Sequence, residues 1–331
     1  MQCRWAPVRA CGPALFVVLA LTASAGPARS GEAAGRKEEL AEASRLAAAG
    51  KGAEALAVLD RLLAAGPHNV GAQRLRQDLM LAAGRREELL AGYARAEANA
   101  TFRPMFRYLR ARAEADAGKR REGLERVMAL EPRNFWAAYD LVDLCVSAGD
   151  LKSAERWALA ARDLRPADAD VRNVLGNVYI QAGKPREAEA ELKEALRLRP
   201  TFPQARYNLG LLSAAAGQLK DAAELFAKAA EEDPAFAEAW NNRGHCLARL
   251  DRTEEAIAAY RKALEVKPGY GAAWNNLAVA LYRKNDFWGA WAAAEKAEKS
   301  GYAVAESFKR VLARKLFPDG DAGRAASEGR K

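Results

Sequence analysis

The sequence predicts an all-α fold of stacked helix-turn-helix units, and three observations predict it. Half of the 331 residues are hydrophobic and only 8% are aromatic, with alanine, leucine, glutamate and arginine dominant; this is the composition of helices whose backbones pack closely. Pro132, Pro166, Pro200, Pro234 and Pro268 are each separated by 34 residues, and self-similarity at a fixed period of this size marks an array of supersecondary units. Seventeen residues before the last four prolines stand Gly149, Gly183, Gly217 and Asp251, all residue types that tolerate the left-handed conformation ending a helix. Each period therefore reads as helix, tight turn, helix, proline stop.

Residues 1–25 are of another kind. Arg4 and Arg9 precede the apolar run 14–21, and Ala23, Ser24 and Ala25 supply the small residues that signal peptidase accepts. The reading is a cleaved export signal, giving a periplasmic or secreted chain. The alternative is an uncleaved N-terminal anchor that leaves the rest outside the cytoplasm; against it stands an apolar centre shorter than the roughly 20 residues of a membrane span. Cys11 lies before the apolar run, so a lipid-modified cysteine is not supported. Loss of Arg4 and Arg9 changes the formal charge from +9 to +7, which is mild over this length. Cys145 and Cys246 then remain as the only thiols. They fall three repeats apart, beyond disulfide reach when helices stack at roughly 8–10 Å, and read as buried small hydrophobes.

After a polar linker over 26–35, one frame with the proline at position 32 covers residues 36–304 in eight units: 36–69, 70–103, 104–134, 135–168, 169–202, 203–236, 237–270 and 271–304. Position 8 reads Val142, Gly176, Gly210, Gly244 and Ala278, position 20 reads Ala154, Ala188, Ala222, Ala256 and Ala290, and position 27 reads Ala161, Ala195, Ala229, Ala263 and Ala297. Small residues thus recur where two helices touch. The first two units are weaker, keeping Gly50, Ala55 and Pro67, then Gly84, Tyr93 and Ala96 with Thr101 at the proline position. Unit 104–134 is three residues short, and because Gly118 precedes Pro132 by only 14, the shortening is expected in its second helix, with a local change of superhelical pitch. In the last unit Asn285 replaces glycine and Tyr302 replaces proline. Residues 305–317 keep helical spacing through Phe308, Val311, Leu312 and Phe317 and are expected to cap the last apolar face. The rest, 318–331, reads as a disordered tail.

This pattern resembles the tetratricopeptide repeat family, which has a large residue at position 4, Leu at 7, Gly or Ala at 8, Tyr at 11, Ala at 20, an aromatic at 24, Ala at 27 and Pro at 32. Trp240, Gly244, Ala256, Tyr260, Ala263 and Pro268 carry the resemblance in one unit, and Leu175, Gly176, Tyr179, Ala188, Ala195 and Pro200 in another. It implies a right-handed superhelical solenoid with a C-terminal capping helix, and a non-catalytic scaffold whose first helices line a concave groove through positions 2, 5, 6, 9, 12 and 13.

Those positions hold a row of amides. Position 6 is Asn208, Asn242 and Asn276 in successive units, and position 5 is Asn173, Asn241 and Asn275 in three of the last four. Asn177, Tyr207, His245, Arg249, Tyr282 and Arg283 complete the expected peptide-binding groove, with Trp136 and Tyr139 in the preceding unit. Asparagine disfavours a helix interior, and a primary amide both donates and accepts, matching the backbone of an extended peptide. The row resembles the asparagine ladder of glycosyltransferase-associated tetratricopeptide arrays. The competing reading is structural, with the amides bonded to neighbouring helices. The chaperone-tail clamp of the family is not matched, since Asn173, Glu238 and Asn242 stand where its three cations belong.

No enzyme is expected. His68 and His245 lie in different units without metal-ligand spacing, and no phosphate loop or nucleophile elbow appears. No cofactor, no metal and no nucleic acid is implied; the expected partner is a protein or peptide, with membrane contact only through an uncleaved signal. Two alternatives remain open. One is an envelope-assembly factor using the basic edge of Arg85, Arg86, Lys119, Arg120, Arg121, Lys184, Arg186 and Lys220 on an anionic glycan or membrane. The other is a non-catalytic accessory subunit of a secreted enzyme.

Overall fold

The computed structural model describes residues 30–97 and 103–317, with side chains from Arg36 onward. The export signal expected at 1–25, Thr101 and the tail 318–331 lie outside the described residues. Seventeen helices and no strand occur among those described. None of these helices is long and apolar enough to cross a membrane. The chain divides after Ala182 into two compact units.

The N-terminal unit contains α1 (Ser30–Ala48), α2 (Gly52–Ala65), α3 (Val70–Ala82), α4 (Arg86–Ala96), α5 (Arg103–Arg112), α6 (Ala117–Leu130), α7 (Phe135–Ser147), α8 (Leu151–Leu164) and α9 (Ala169–Gln181). The C-terminal unit contains α10 (Pro185–Leu198), α11 (Pro203–Ala215), α12 (Leu219–Glu232), α13 (Ala237–Arg249), α14 (Thr253–Val266), α15 (Gly271–Arg283), α16 (Phe287–Lys299) and α17 (Glu306–Leu316). Within each unit, sequential helices pack on one another.

Turn chemistry ends the first helix of a pair. Gly217 has φ 78°, and the following amide of Gln218 reaches back to the Ser213 carbonyl at 2.9 Å. This 6→1 bond satisfies a carbonyl that the helix leaves orphaned. The same bond recurs from Arg252 to Leu247 and from Asp286 to Leu281, although the left-handed residue there is Asp251 (φ 59°) or Asn285 (φ 66°).

Close packing explains the small residues. Ala222, Ala229, Ala256, Ala263, Ala290 and Ala297 are fully buried. A methyl group on Gly244 would lie 2.7 Å from the ring of Tyr260, and one on Gly210 would lie 2.8 Å from that of Phe226. Position 4 has a second role. Gln73, Arg172, Arg206, Trp240 and Trp274 each donate from the side chain to the carbonyl of the proline six residues earlier. That carbonyl lies between helices and has no helical donor, so a long donor side chain at this register completes the connection.

Two expectations need correction. The linker placed at 26–35 is helical from Ser30, because Ala33, Ala34 and the Arg36, Lys37, Glu38, Glu39 run favour helix strongly enough to carry α1 past Gly35. The three residues missing from unit 104–134 do not come from its second helix, because α6 has the full 14 residues seen in α8. Gly118 is not the turn residue; it sits inside α6, whose N-cap Asp116 accepts from the Lys119 amide at 2.8 Å. A carboxylate that caps orphan amides fixes the helix start more strongly than a nearby glycine.

α17 closes the C-terminal unit by inserting Phe308 and Leu312 into a core that contains Leu277, Leu281 and Ala294. Cys145 and Cys246 are both buried and unbridged, and burial pushes the Cys246 thiol up to about 12, which makes it an inert core group.

Candidate functional site

The expected amide row resolves into a relay inside the C-terminal unit. Asn276 Nδ2 on α15 donates to Asn241 Oδ1 on α13 at 3.0 Å, Asn241 Nδ2 donates to Asn242 Oδ1 at 3.1 Å, and Asn242 Nδ2 donates to the Tyr207 hydroxyl on α11 at 2.9 Å. Every amide points its nitrogen the same way. Helical spacing makes this possible, because positions 5 and 6 of one first helix face the same positions of the next. Asn242 is fully buried, Asn241 is 1% exposed and Asn276 is 3% exposed, so these side chains join neighbouring helices beneath the surface. Asn208 is buried too.

The other candidates divide by exposure. Asn275 is half-buried, while Arg249 and Arg283 are exposed at the last turns of α13 and α15. The Arg283 guanidinium donates to the Ala248 carbonyl at 2.8 Å. Tyr282 turns toward the end of the core, its ring 5.5 Å from Phe287 and 5.7 Å from Phe308; its packing with the capping helix takes the place of the groove position expected for it. His245 is 3% exposed. Burial first, then the charges of Arg249 and Arg283, lower its pKa to about 4, so it is neutral at physiological pH. Asn173 and Asn177 are half-buried on α9 and belong to the N-terminal unit.

A second polar cluster was not foreseen. Arg74 on α3 is 3% exposed; it pairs with Asp140 on α7 at 2.8 Å and donates to the Tyr108 hydroxyl on α5. Tyr108 donates in turn to Asp140 at 2.6 Å. Arg112 bridges Asp140 at 3.2 Å and Asp78 at 2.8 Å. The Arg74 guanidinium lies over the Trp136 ring at 4.4 Å. Burial opposes the charge of Arg112, but Asp140, Tyr108 and Asp78 outweigh it and hold its pKa above the ordinary arginine value. Burial raises the Tyr108 phenol well above its usual range. The signal in the sequence was the pairing of Arg74 with Tyr108 and of Asp78 with Arg112, each 34 apart; Asp140 follows Tyr108 by only 32, because the short unit intervenes.

No group of three metal-ligating side chains occurs among the described residues. At the basic edge, Arg85 is held by Glu88 at 2.7 Å and Arg121 by Asp150 at 2.7 Å, and Arg120 donates to the Glu114 carbonyl. Much of that edge is therefore already paired.

Comparison with known proteins places the repeats. Three tetratricopeptide repeat families match residues 121–178, 173–235 and 237–270. No curated protein matches the chain by sequence. Among solved structures, the chain is similar to one from the APC/C hetero-tetramer Cut9–Hcn1, at TM-score 0.63 and 16% identity, covering 85% of this chain and 56% of that one. It is also similar to Pseudomonas aeruginosa pilF, at TM-score 0.52 and 17% identity, covering 59% of this chain and 90% of that one. MamA aligns at TM-score 0.44 and 24% identity over 49% of this chain and 94% of that one. At these identities the likeness is one of fold. With a 34-residue period, paired helices closed by left-handed turns, and three matches running from residue 121 to 270, that part of the chain belongs to the tetratricopeptide repeat family.

Proposed function

We propose that this protein is a non-catalytic protein-interaction scaffold, and that an extended segment of its partner lies along the first helices α11, α13 and α15. Tetratricopeptide arrays are interaction architectures, and residues 121–270 match that repeat. The observation that carries the reading is the relay from Asn276 to Tyr207. It spends three buried amides on holding successive first helices in register, and so builds a rigid polar floor with Asn275 and the two arginines beside it. A pre-ordered surface binds an extended chain at lower entropic cost than one that must be organised. Export to the cell envelope, read from residues 1–25, belongs to the same proposal.

Affinity capture with the full chain tests it. Asn275→Ala combined with Arg249→Ala should leave the helical circular dichroism unchanged and release the captured partner. Unaltered capture by a folded double variant would place the site elsewhere.

A further inference from the structure

Arg249 and Arg283 occupy the same register one 34-residue period apart, and both are exposed. The bond from Arg283 to the Ala248 carbonyl sets its guanidinium beside the turn of helix that carries Arg249. Neither arginine forms an ion pair among the described residues, whereas the other charges on these first helices are engaged. Arg206 is held by Glu232 at 2.6 Å, Glu238 by Lys267 at 3.1 Å, and Arg243 lies over the Trp240 ring at 5.7 Å. α11 and α15 contain no Asp or Glu at all.

The helix dipole alone does not demand these cations. α11 ends in the same dipole with Ala215 at the corresponding position. Two guanidiniums therefore share one face without an ion-pair partner among the described residues, above the fixed amide floor. His245 registers the same field, since burial and then both arginines lower its pKa.

We propose that the α13–α15 face takes an acidic, extended segment of a partner protein, with Arg249 and Arg283 each receiving a carboxylate. The proposal rests on the scaffold reading and names the chemistry of the partner. A guanidinium offers a planar fork that matches a carboxylate with two parallel bonds. Neighbouring helices lie roughly 10 Å apart, about three residues of extended chain at roughly 3.3 Å each, so acids two or three residues apart in the partner reach both arginines. The chain's own residues 318–331 are a poor occupant, because Asp319, Asp321 and Glu328 are balanced by Arg324, Arg330 and Lys331.

Fluorescence anisotropy on the full chain tests this with a labelled peptide of alternating Glu and Ser, and with the same peptide carrying Gln or Lys in place of Glu. At about 50 mM salt the Glu peptide should bind at least about tenfold more tightly than either control, and the difference should shrink at about 500 mM as screening shortens the range of the charges. Arg249→Glu with Arg283→Glu should weaken the Glu peptide by about tenfold or more. Lys228→Glu with Arg261→Glu, an equal change of charge on the exposed second helices α12 and α14, should not. Circular dichroism checks that both variants are folded. Equal binding of the Glu and Gln peptides, equal loss in both double variants, or no binding of the Glu peptide would overturn the acidic preference. Equal binding that is lost only in the Arg249, Arg283 variant would leave the scaffold reading standing and remove only the charge assignment.

Discussion

Asp140 receives Arg74, Tyr108 and Arg112 at once, so three first helices of the N-terminal unit converge on its carboxylate. Removing it leaves the buried Arg74 guanidinium without its counter-charge. Breaking one side of such a pair costs about 3 kcal/mol or more, and Asp140→Ala should lower stability by that amount in urea unfolding. Asp163→Ala removes the partner of Arg162 at a pair whose acid is 69% exposed and should cost below about 0.5 kcal/mol. Equal effects would mean that the network is not what locks these helices. In the C-terminal unit, His245 makes a pH prediction. Its folded pKa of about 4 lies below the ordinary histidine value of 6.5, so between these values the unfolded chain holds more protons than the folded one. Stability from this group is therefore fully present above pH 6.5 and is lost as pH falls toward 4. Thermal melts of the full chain should show a shallower loss over that window in His245→Gln than in the wild type, and identical slopes would contradict the assignment.

At the scale of helices, the period placed the turns and the small residues correctly, because backbone geometry restricts those positions regardless of neighbours. Gly244 is the sharpest case: a methyl group would meet the Tyr260 ring at 2.7 Å, and that ring is fully buried. Gly244→Ala should therefore destabilise the protein by about 1–3 kcal/mol through overpacking, measured as a lower urea midpoint with an unchanged slope. No loss would mean that α13 and α14 yield more readily than their contact implies. What the period misplaced was the shortened unit. The period marks Gly118 as the turn, while the capping carboxylate of Asp116 sets the start of α6 and gives that helix its full length. The cluster around Arg74 escaped for a related reason: it needs Asp140 to meet Tyr108 across that irregular spacing, which a fixed repeat does not register. The asparagine row was legible as a row, since polar residues at helix-interior positions stand out against the core pattern. Its burial was not, because a side chain that bonds the next helix and one that awaits a ligand occupy the same register.

At the scale of the whole molecule the chain forms two helical-repeat units, the C-terminal one with Asn241, Asn242 and Asn276 buried and Arg249 and Arg283 exposed. Its fold was readable almost residue by residue, since a repeat states its packing rules several times over. Its partner was not, because recognition on such a face lies in a few side chains whose neighbours come from other repeats. Arg249 and Arg283 illustrate this: each is an ordinary helix-ending cation in isolation, and the pairing across α13 and α15 emerges only with the contact to Ala248. The most direct measurement is site-specific photo-crosslinking in the native host, with a photo-reactive amino acid at Asn275 on α15 or at Lys262 on the exposed surface of α14. A partner protein crosslinked from Asn275 and not from Lys262 is the predicted result; crosslinks that form from Lys262 alone, or equally from both, would contradict binding along the first helices.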